Sequence, residues 1–249
     1  MKFSIVTATY NSEQTVLRTL QSVESQTFCN YEHIIMDGAS SDGTLKIIER
    51  YKSPKRRIFS ERDKGIFDAL NKGILNSSGE YIITLHADDV FSSNMTLEKL
   101  NSFIDHNPSE MYLSIVNLYS KNFEKKIRVF DPKSFDPLHL AWGVMQPHCG
   151  MVIKKELFSK YGNYQNDENF LCSADFELAV RLFANHKQEF CYYGNELVKM
   201  AKGGKSTQGI KSYIIIGKEM WKSLEINGIR PNFFKLLFRF VLKFFDKFK

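Results

Sequence analysis

The residues with the plainest chemical potential are aspartates at the ends of short apolar runs. Asp37 follows Ile34-Ile35-Met36, Asp88-Asp89 follows Tyr81–Leu85, and Asp175 opens a helical stretch after the loop 163–173. Adjacent carboxylates repel one another unless a cation lies near them. A hard divalent ion is held by one or two carboxylates together with substrate phosphates. Asp88-Asp89 is therefore a candidate seat for Mn²⁺ or Mg²⁺. The same pair would equally serve as a solvated turn or an acidic helix cap, and the pair alone does not choose.

The elements that must position these groups alternate along the first half of the chain. Strands are expected at Phe3–Thr7, Ile34–Met36, Ile58–Ser60 and Tyr81–Leu85, and helices at Glu13–Gln26, Thr44–Tyr51 and Ile66–Asn76. That alternation implies parallel pairing and a Rossmann-like half, with ligands beyond the carboxyl ends of the strands. The second half is mixed. Helices are expected at Thr96–His106, Ala174–Asn185 and Ile210–Glu225, and strands at Met111–Tyr119, Lys125–Phe130, Phe190–Tyr193 and Leu197–Met200.

Five motifs in order carry a resemblance. They are Ser4–Asn11 (SIVTATYN), Gln26-Thr27-Phe28 with Glu32, Ile34–Gly43 (IIMDGASSDG), Gly65–Ile74 leading into Ser78–Ile82, and Asp88-Asp89. Together they resemble the family 2 glycosyltransferases, densely over residues 3–92 and more thinly over 140–185. The block Ser60–Asn71 looks closest to bacterial O-antigen, capsule and colanic-acid enzymes, as do Pro147-His148 and Ala174-Asp175. The resemblance implies an α/β GT-A fold with a mostly parallel central sheet. Residues 1–226 would form one catalytic domain, with a nucleotide-sugar half at about 1–92 and an acceptor half at 93–226.

The implied reaction moves a sugar from a nucleoside diphosphate, expected to be UDP, to an acceptor hydroxyl with inversion. Asp89 would hold the metal with Asp88 assisting through the ribose or the metal shell, and Asp175 would be the catalytic base. Asp37 would hold the base or ribose, with Thr7, Ala8, Thr9 and Tyr10 packing against the nucleotide. Asp63, Asp68 and Asn71 are placed near the nucleotide by the same resemblance, and His148 near the acceptor. Many relatives carry a second aspartate where this chain has Gly38, which leaves base recognition to Asp37. His86 is expected to pack or hydrogen-bond, and Glu177, two positions from Asp175, to point away from it. Lys205, in the loop Gly203–Ser206, is a weaker phosphate candidate.

Charge separates the chain into a body and a tail. The net charge is +6, from 34 Lys and Arg against 28 Asp and Glu. Residues 1–198 carry 22 basic and 25 acidic side chains, whereas residues 199–249 carry 12 and 3. The excess is thus terminal, and a nucleic-acid partner is not expected. The last 17 residues hold seven of the 21 Phe. On a helix Lys235, Arg239, Lys243 and Lys247 share one side, while Phe238 and Phe245 fall on the broad apolar side. Residues 227–249 are therefore expected to form an interfacial helix on an anionic membrane, where a lipid-diphosphate-linked saccharide acceptor would also sit. A packing helix or dimer contact is the competing reading.

The N-terminus enters a strand pattern at once and no run of 18 uncharged apolar residues exists, so neither a secretory signal nor a spanning helix is expected. The four cysteines lack metal spacing and read as free thiols in a reducing compartment. The expected location is the cytoplasmic face of a bacterial membrane. Two rivals are a sugar-nucleotide nucleotidyltransferase, which would need a Gly-rich basic loop in place of Thr7–Asn11, and a catalytically inactive membrane-docked binding module.

Overall fold

β-Branched and apolar residues in Phe3–Thr9 (β1) are buried at all seven positions, so this strand has protein on both faces and a neighbour on each edge. The computed structural model describes residues 1–167, 169–203 and 210–232, together with Phe234 and Leu236. The tail candidates Lys235, Phe238, Arg239, Lys243, Phe245 and Lys247 lie outside the described residues, as does Lys205. In chain order the elements after β1 are α1 (Val16–Glu24), β2 (Tyr31–Asp37), α2 (Thr44–Arg50), β3 (Arg56–Ser60), α3 (Ile66–Leu75), β4 (Tyr81–Thr84) and β5 (Val90–Phe91). They continue with α4 (Thr96–His106), β6 (Met111–Tyr119), β7 (Lys126–Phe130), β8 (Met151–Lys154), α5 (Lys155–Tyr161), α6 (Ala174–Ala179), β9 (Cys191–Ala201) and α7 (Ile210–Ile226).

One sheet takes the order β3-β2-β1-β4-β8-β6-β9-β5, with β7 beside β6. The pairs β3/β2, β2/β1 and β1/β4 are parallel, and β8 runs against both β4 and β6. Register places Thr9 opposite Asp37 and Asp37 opposite Ser60, so the carboxyl ends of three strands share one level. Alternation along β1 divides the core. Val6 and Ala8 join Leu70, Ile74, Phe176 and Leu224 on one face, while Phe3 and Ile5 join Ile83, Leu100 and Tyr112 on the other.

The second half departs from the sequence pattern where Gly194 and Asn195 interrupt it. They do not separate two strands. β9 runs unbroken for 11 residues, and its register against β6 shifts between Ser114 and Val116, so the interruption is absorbed as a bulge. The helix expected at Ala174–Asn185 is α-helical only to Ala179 and continues as a π-helical segment, Val180–Asn185. α5 and the two-residue β5 have too few residues to leave a periodic signature. No described helix is long and apolar enough to cross a membrane, and all four cysteines are free.

α3 packs against β1 through Gly73. A Cβ there would stand 2.3 Å from Val6 Cγ1 and 3.2 Å from Met36 Cγ. Helix propensity favours Ala over Gly by about 0.8–1.0 kcal/mol, but overpacking a filled core costs typically about 1–3 kcal/mol. Gly73→Ala is therefore expected to lower the denaturation midpoint in urea. A variant as stable as the parent would show that α3 can slide off β1 freely.

Candidate active site

The loops following β1 and β2 are fastened to each other. Asn11 Oδ1 accepts from Ser41 N–H at 2.9 Å, Ser40 Oγ accepts from Asn11 N–H at 2.9 Å, and Glu13 Oε2 accepts from Gly43 N–H at 2.7 Å. Asn11 and Ala39 both hold left-handed backbone, φ 51° and 59°, which the interlocking bonds maintain. Asp37 belongs to this fastening. It is 2 % exposed, its Oδ2 accepts from Ser40 N–H at 3.1 Å and Ser60 Oγ at 2.6 Å, and its Oδ1 accepts from Ser40 Oγ. Asp37 thereby ties the ends of β2 and β3 to the loop that follows β2.

Thr7 likewise turns inward. It is fully buried, with Oγ1 3.0 Å from His33 Nε2, and burial together with the nearby Arg56 charge drives His33 down to about 3. Ala8 is buried as well. Of the Thr7–Tyr10 set, Thr9 brings a buried Oγ1 without a partner among the described residues, and Tyr10 an exposed ring.

The aspartate pair after β4 splits. Asp89 is 1 % exposed, with Oδ1 accepting from Ala201 N–H at 3.0 Å and its carbonyl accepting from Thr19 Oγ1 at 2.7 Å. Burial and the neighbouring Asp88 charge hold its carboxyl well above the usual range, toward the neutral form. Asp88 is only half-buried. Beside it the rings of His86 and His148 stack with centroids 4.7 Å apart and their Nε2 atoms in contact. Burial and the facing His148 push His86 down to about 4, and burial alone puts His148 at about 4, so both rings are neutral near pH 7. The charges of Asp88 and Asp175 both act on His86, so the two carboxylates lie near the same ring.

Asp175 sits in the first turn of α6, behind a loop tied down at both ends. Asn71 grips the loop's start with both its amide atoms. Its Nδ2 donates to Tyr164 O at 2.7 Å and its Oδ1 accepts from Tyr164 N–H at 3.0 Å. Asp68, one turn earlier, accepts from Asn166 Nδ2 at 2.8 Å and from Lys64 N–H at 3.2 Å, with Lys72 at 3.3 Å. Asp68 and Asn71 thus form a strap between α3 and the loop that leads to Asp175.

Arg181 pairs with Glu177 at 2.7 Å and donates to the carbonyls of Tyr161, Gly162 and Asn163. At the loop's end, the Glu219 carboxylate accepts from Leu171 N–H and Cys172 N–H, each at 2.9 Å. His148 meets the same loop through Tyr164, whose ring lies edge-on at 6.0 Å. Arg181, Glu219 and Tyr164 were not singled out by sequence. The one sequence signal that could have found any of them is the spacing of four between Glu177 and Arg181 along a helix.

Among the described residues no group of three or more His, Cys, Asp or Glu side chains is arranged to hold a metal by itself. Mg²⁺ and Mn²⁺ do not require one when substrate phosphates and water complete the shell. Asp88, a half-buried carboxylate beyond the end of β4, fits such an ion. Asp89 lies deeper, and its Oδ2 is buried without a hydrogen-bond partner among the described residues, so the pair can offer such an ion one half-buried and one buried carboxylate.

The model of glycosyl transferase family 2 matches residues 4–162. Among curated relatives, a PGL/p-HBAD biosynthesis glycosyltransferase of Mycobacterium bovis is 29% identical over 187 residues, covering 74% of this chain and 70% of that one. The Escherichia coli UDP-Glc:alpha-D-GlcNAc-diphosphoundecaprenol beta-1,3-glucosyltransferase WfgD is 33% identical over 110 residues, 44% of each chain. Among solved structures, S. aureus TarS 1–349 in complex with UDP-GlcNAc superposes with a TM-score of 0.67 at 20% identity, covering 89% of this chain and 67% of that one, which shows the fold. With half of its sheet parallel, its strand ends level and more than half its length matched, the chain belongs to glycosyl transferase family 2 and has the GT-A fold.

Proposed function

We propose that this glycosyltransferase moves a sugar from a nucleoside diphosphate, UDP in the first instance, to a hydroxyl of a lipid-linked saccharide with inversion. The observation that carries the reading is that His86, stacked on His148 beyond the end of β4, feels the charges of both Asp88, which follows β4, and Asp175, in the first turn of α6. Donor and acceptor would meet there. The relative WfgD is named for a UDP-sugar and a diphosphoundecaprenol acceptor, which supports both the donor and the membrane-borne acceptor.

Asp89, with Asp88 assisting, would hold Mn²⁺ or Mg²⁺ against the donor diphosphate, and such an ion would neutralise the charge that develops on the departing diphosphate. Asp175, fixed by the Arg181 and Glu219 anchors on either side, takes the proton from the acceptor hydroxyl. Neutral His86 and His148 form a recessed wall between the two carboxylates and add no cation to compete with the metal. A nucleotidyltransferase finds no support here, because Thr7–Tyr10 offers neither glycines nor basic side chains.

The tail, residues 227–249, would dock the enzyme peripherally on the inner face of the cell membrane. Where the chain enters it, Leu236 is buried in the core while Phe234 stands 77% exposed, which supports an apolar side turned away from the body.

Three outcomes are expected. Asp88→Asn and Asp89→Asn each weaken Mn²⁺-dependent binding of the nucleotide sugar in calorimetry, and unchanged affinity in either would remove that carboxylate from the metal site. Asp175→Asn keeps donor affinity but lowers kcat by ~10²–10⁴-fold, and undiminished turnover would remove it as the base. Deleting residues 232–249 releases the protein from anionic vesicles in a sedimentation assay, whereas continued pelleting would place the anchor elsewhere.

A further inference from the structure

Asp37 is engaged on both oxygens, so the loop that should read the donor's base has no free carboxylate of its own. Its neighbour Gly38 has no side chain, yet the space beside it is filled. A Cβ on Gly38 would stand 2.4 Å from Asp63 Oδ2 and 3.1 Å from Asp63 Cγ. Asp63 arrives from the loop between β3 and α3 and occupies the room that a side chain at position 38 would take. Its Oδ1 accepts from Gly65 N–H at 2.9 Å, a turn permitted by Gly65 at φ 124°. No hydrogen bond or ion pair engages Oδ2 among the described residues.

Gly38 N–H donates to Thr9 O at 2.9 Å, which draws Gly38 against the end of β1, where the Tyr10 ring is 47% exposed. A flat aromatic ring and a carboxylate oxygen therefore border the same lip, beyond the carboxyl ends of two parallel strands.

We propose that Asp63, reaching across Gly38, is the specificity-determining carboxylate that accepts the ring N–H of the donor's base. A carboxylate only accepts. It therefore favours uracil, whose N3 carries a hydrogen, over cytosine, whose N3 is itself an acceptor. This rests on the nucleoside-diphosphate donor proposed above and names the group that chooses among donors.

The experiment is calorimetric binding of UDP, CDP and N3-methyl-UDP, with MnCl₂ present, to the full chain and its variants. The parent is expected to bind UDP about 10- to 100-fold more tightly than CDP or N3-methyl-UDP, the range of a hydrogen bond to a charged group. Asp63→Asn presents a donor as well as an acceptor, and the UDP:CDP ratio should collapse toward one. A structural role for Asp63 would instead weaken both nucleotides alike and leave the ratio standing. The double variant Gly38→Asp/Asp63→Gly, which vacates the space that the new side chain needs, should restore the preference for UDP. A UDP:CDP ratio that survives Asp63→Asn, or a parent that binds UDP and CDP equally, overturns the assignment of Asp63 alone. A parent that binds none of the three nucleotides overturns the donor reading and this inference with it.

Discussion

The candidate site hangs from the pairing of β1, which is hydrogen-bonded in parallel to β2 on one edge and β4 on the other. Parallel pairing sends all three carboxyl ends to one side. It brings together, over a few residues of breadth, loops separated by dozens of positions in sequence. Because both faces of β1 are also buried, a shift of one residue would carry Val6 and Phe3 to each other's side of the core. The register is therefore held by packing, and the relative height of Thr9, Asp37 and Ser60 is held with it.

Around that level the carboxylates divide by their surroundings. Asp37 and Asp89 are buried, accept backbone N–H groups and secure the loops that carry them. Asp88 and Asp63 stand partly in solvent with less of their bonding capacity engaged. Burial in an apolar setting disfavours the charged form, and Asp89 is pushed upward accordingly. The histidines follow the same rule with opposite sign. His33, His86 and His148 are all driven downward and stay neutral.

Much of this was legible in the sequence where a local rule applied. Thr96–His106 and Met111–Tyr119 match α4 and β6 at both ends, because their periodicity is strong and their boundaries are marked. Asp37 and Asp88-Asp89 were found because they follow strands, and Asp175 because it opens a helix. Their roles were not legible, since sequence shows which residue follows a strand but not which of two adjacent carboxylates turns inward. Asp89 is sealed by β5 pairing antiparallel with β9, a two-residue strand meeting a partner more than a hundred positions away. Asn71 read as a nucleotide neighbour because it lies in a family-like stretch, whereas its partner, Tyr164, becomes adjacent only after folding.

The bond from Ala201 N–H to Asp89 spans 112 positions. Contacts of such separation carry a large loop-closure entropy and form after local ones. The first four strands and their helices can gather early from near neighbours, but the Asp88-Asp89 corner has its inner oxygen satisfied only when β9 has docked. A growing chain emerging from synthesis would thus hold most of the nucleotide half well before its acidic corner is fixed. The Asp88-Asp89 corner is thus the last part of this region to set, and its fixed geometry marks the docking of β9 onto the sheet.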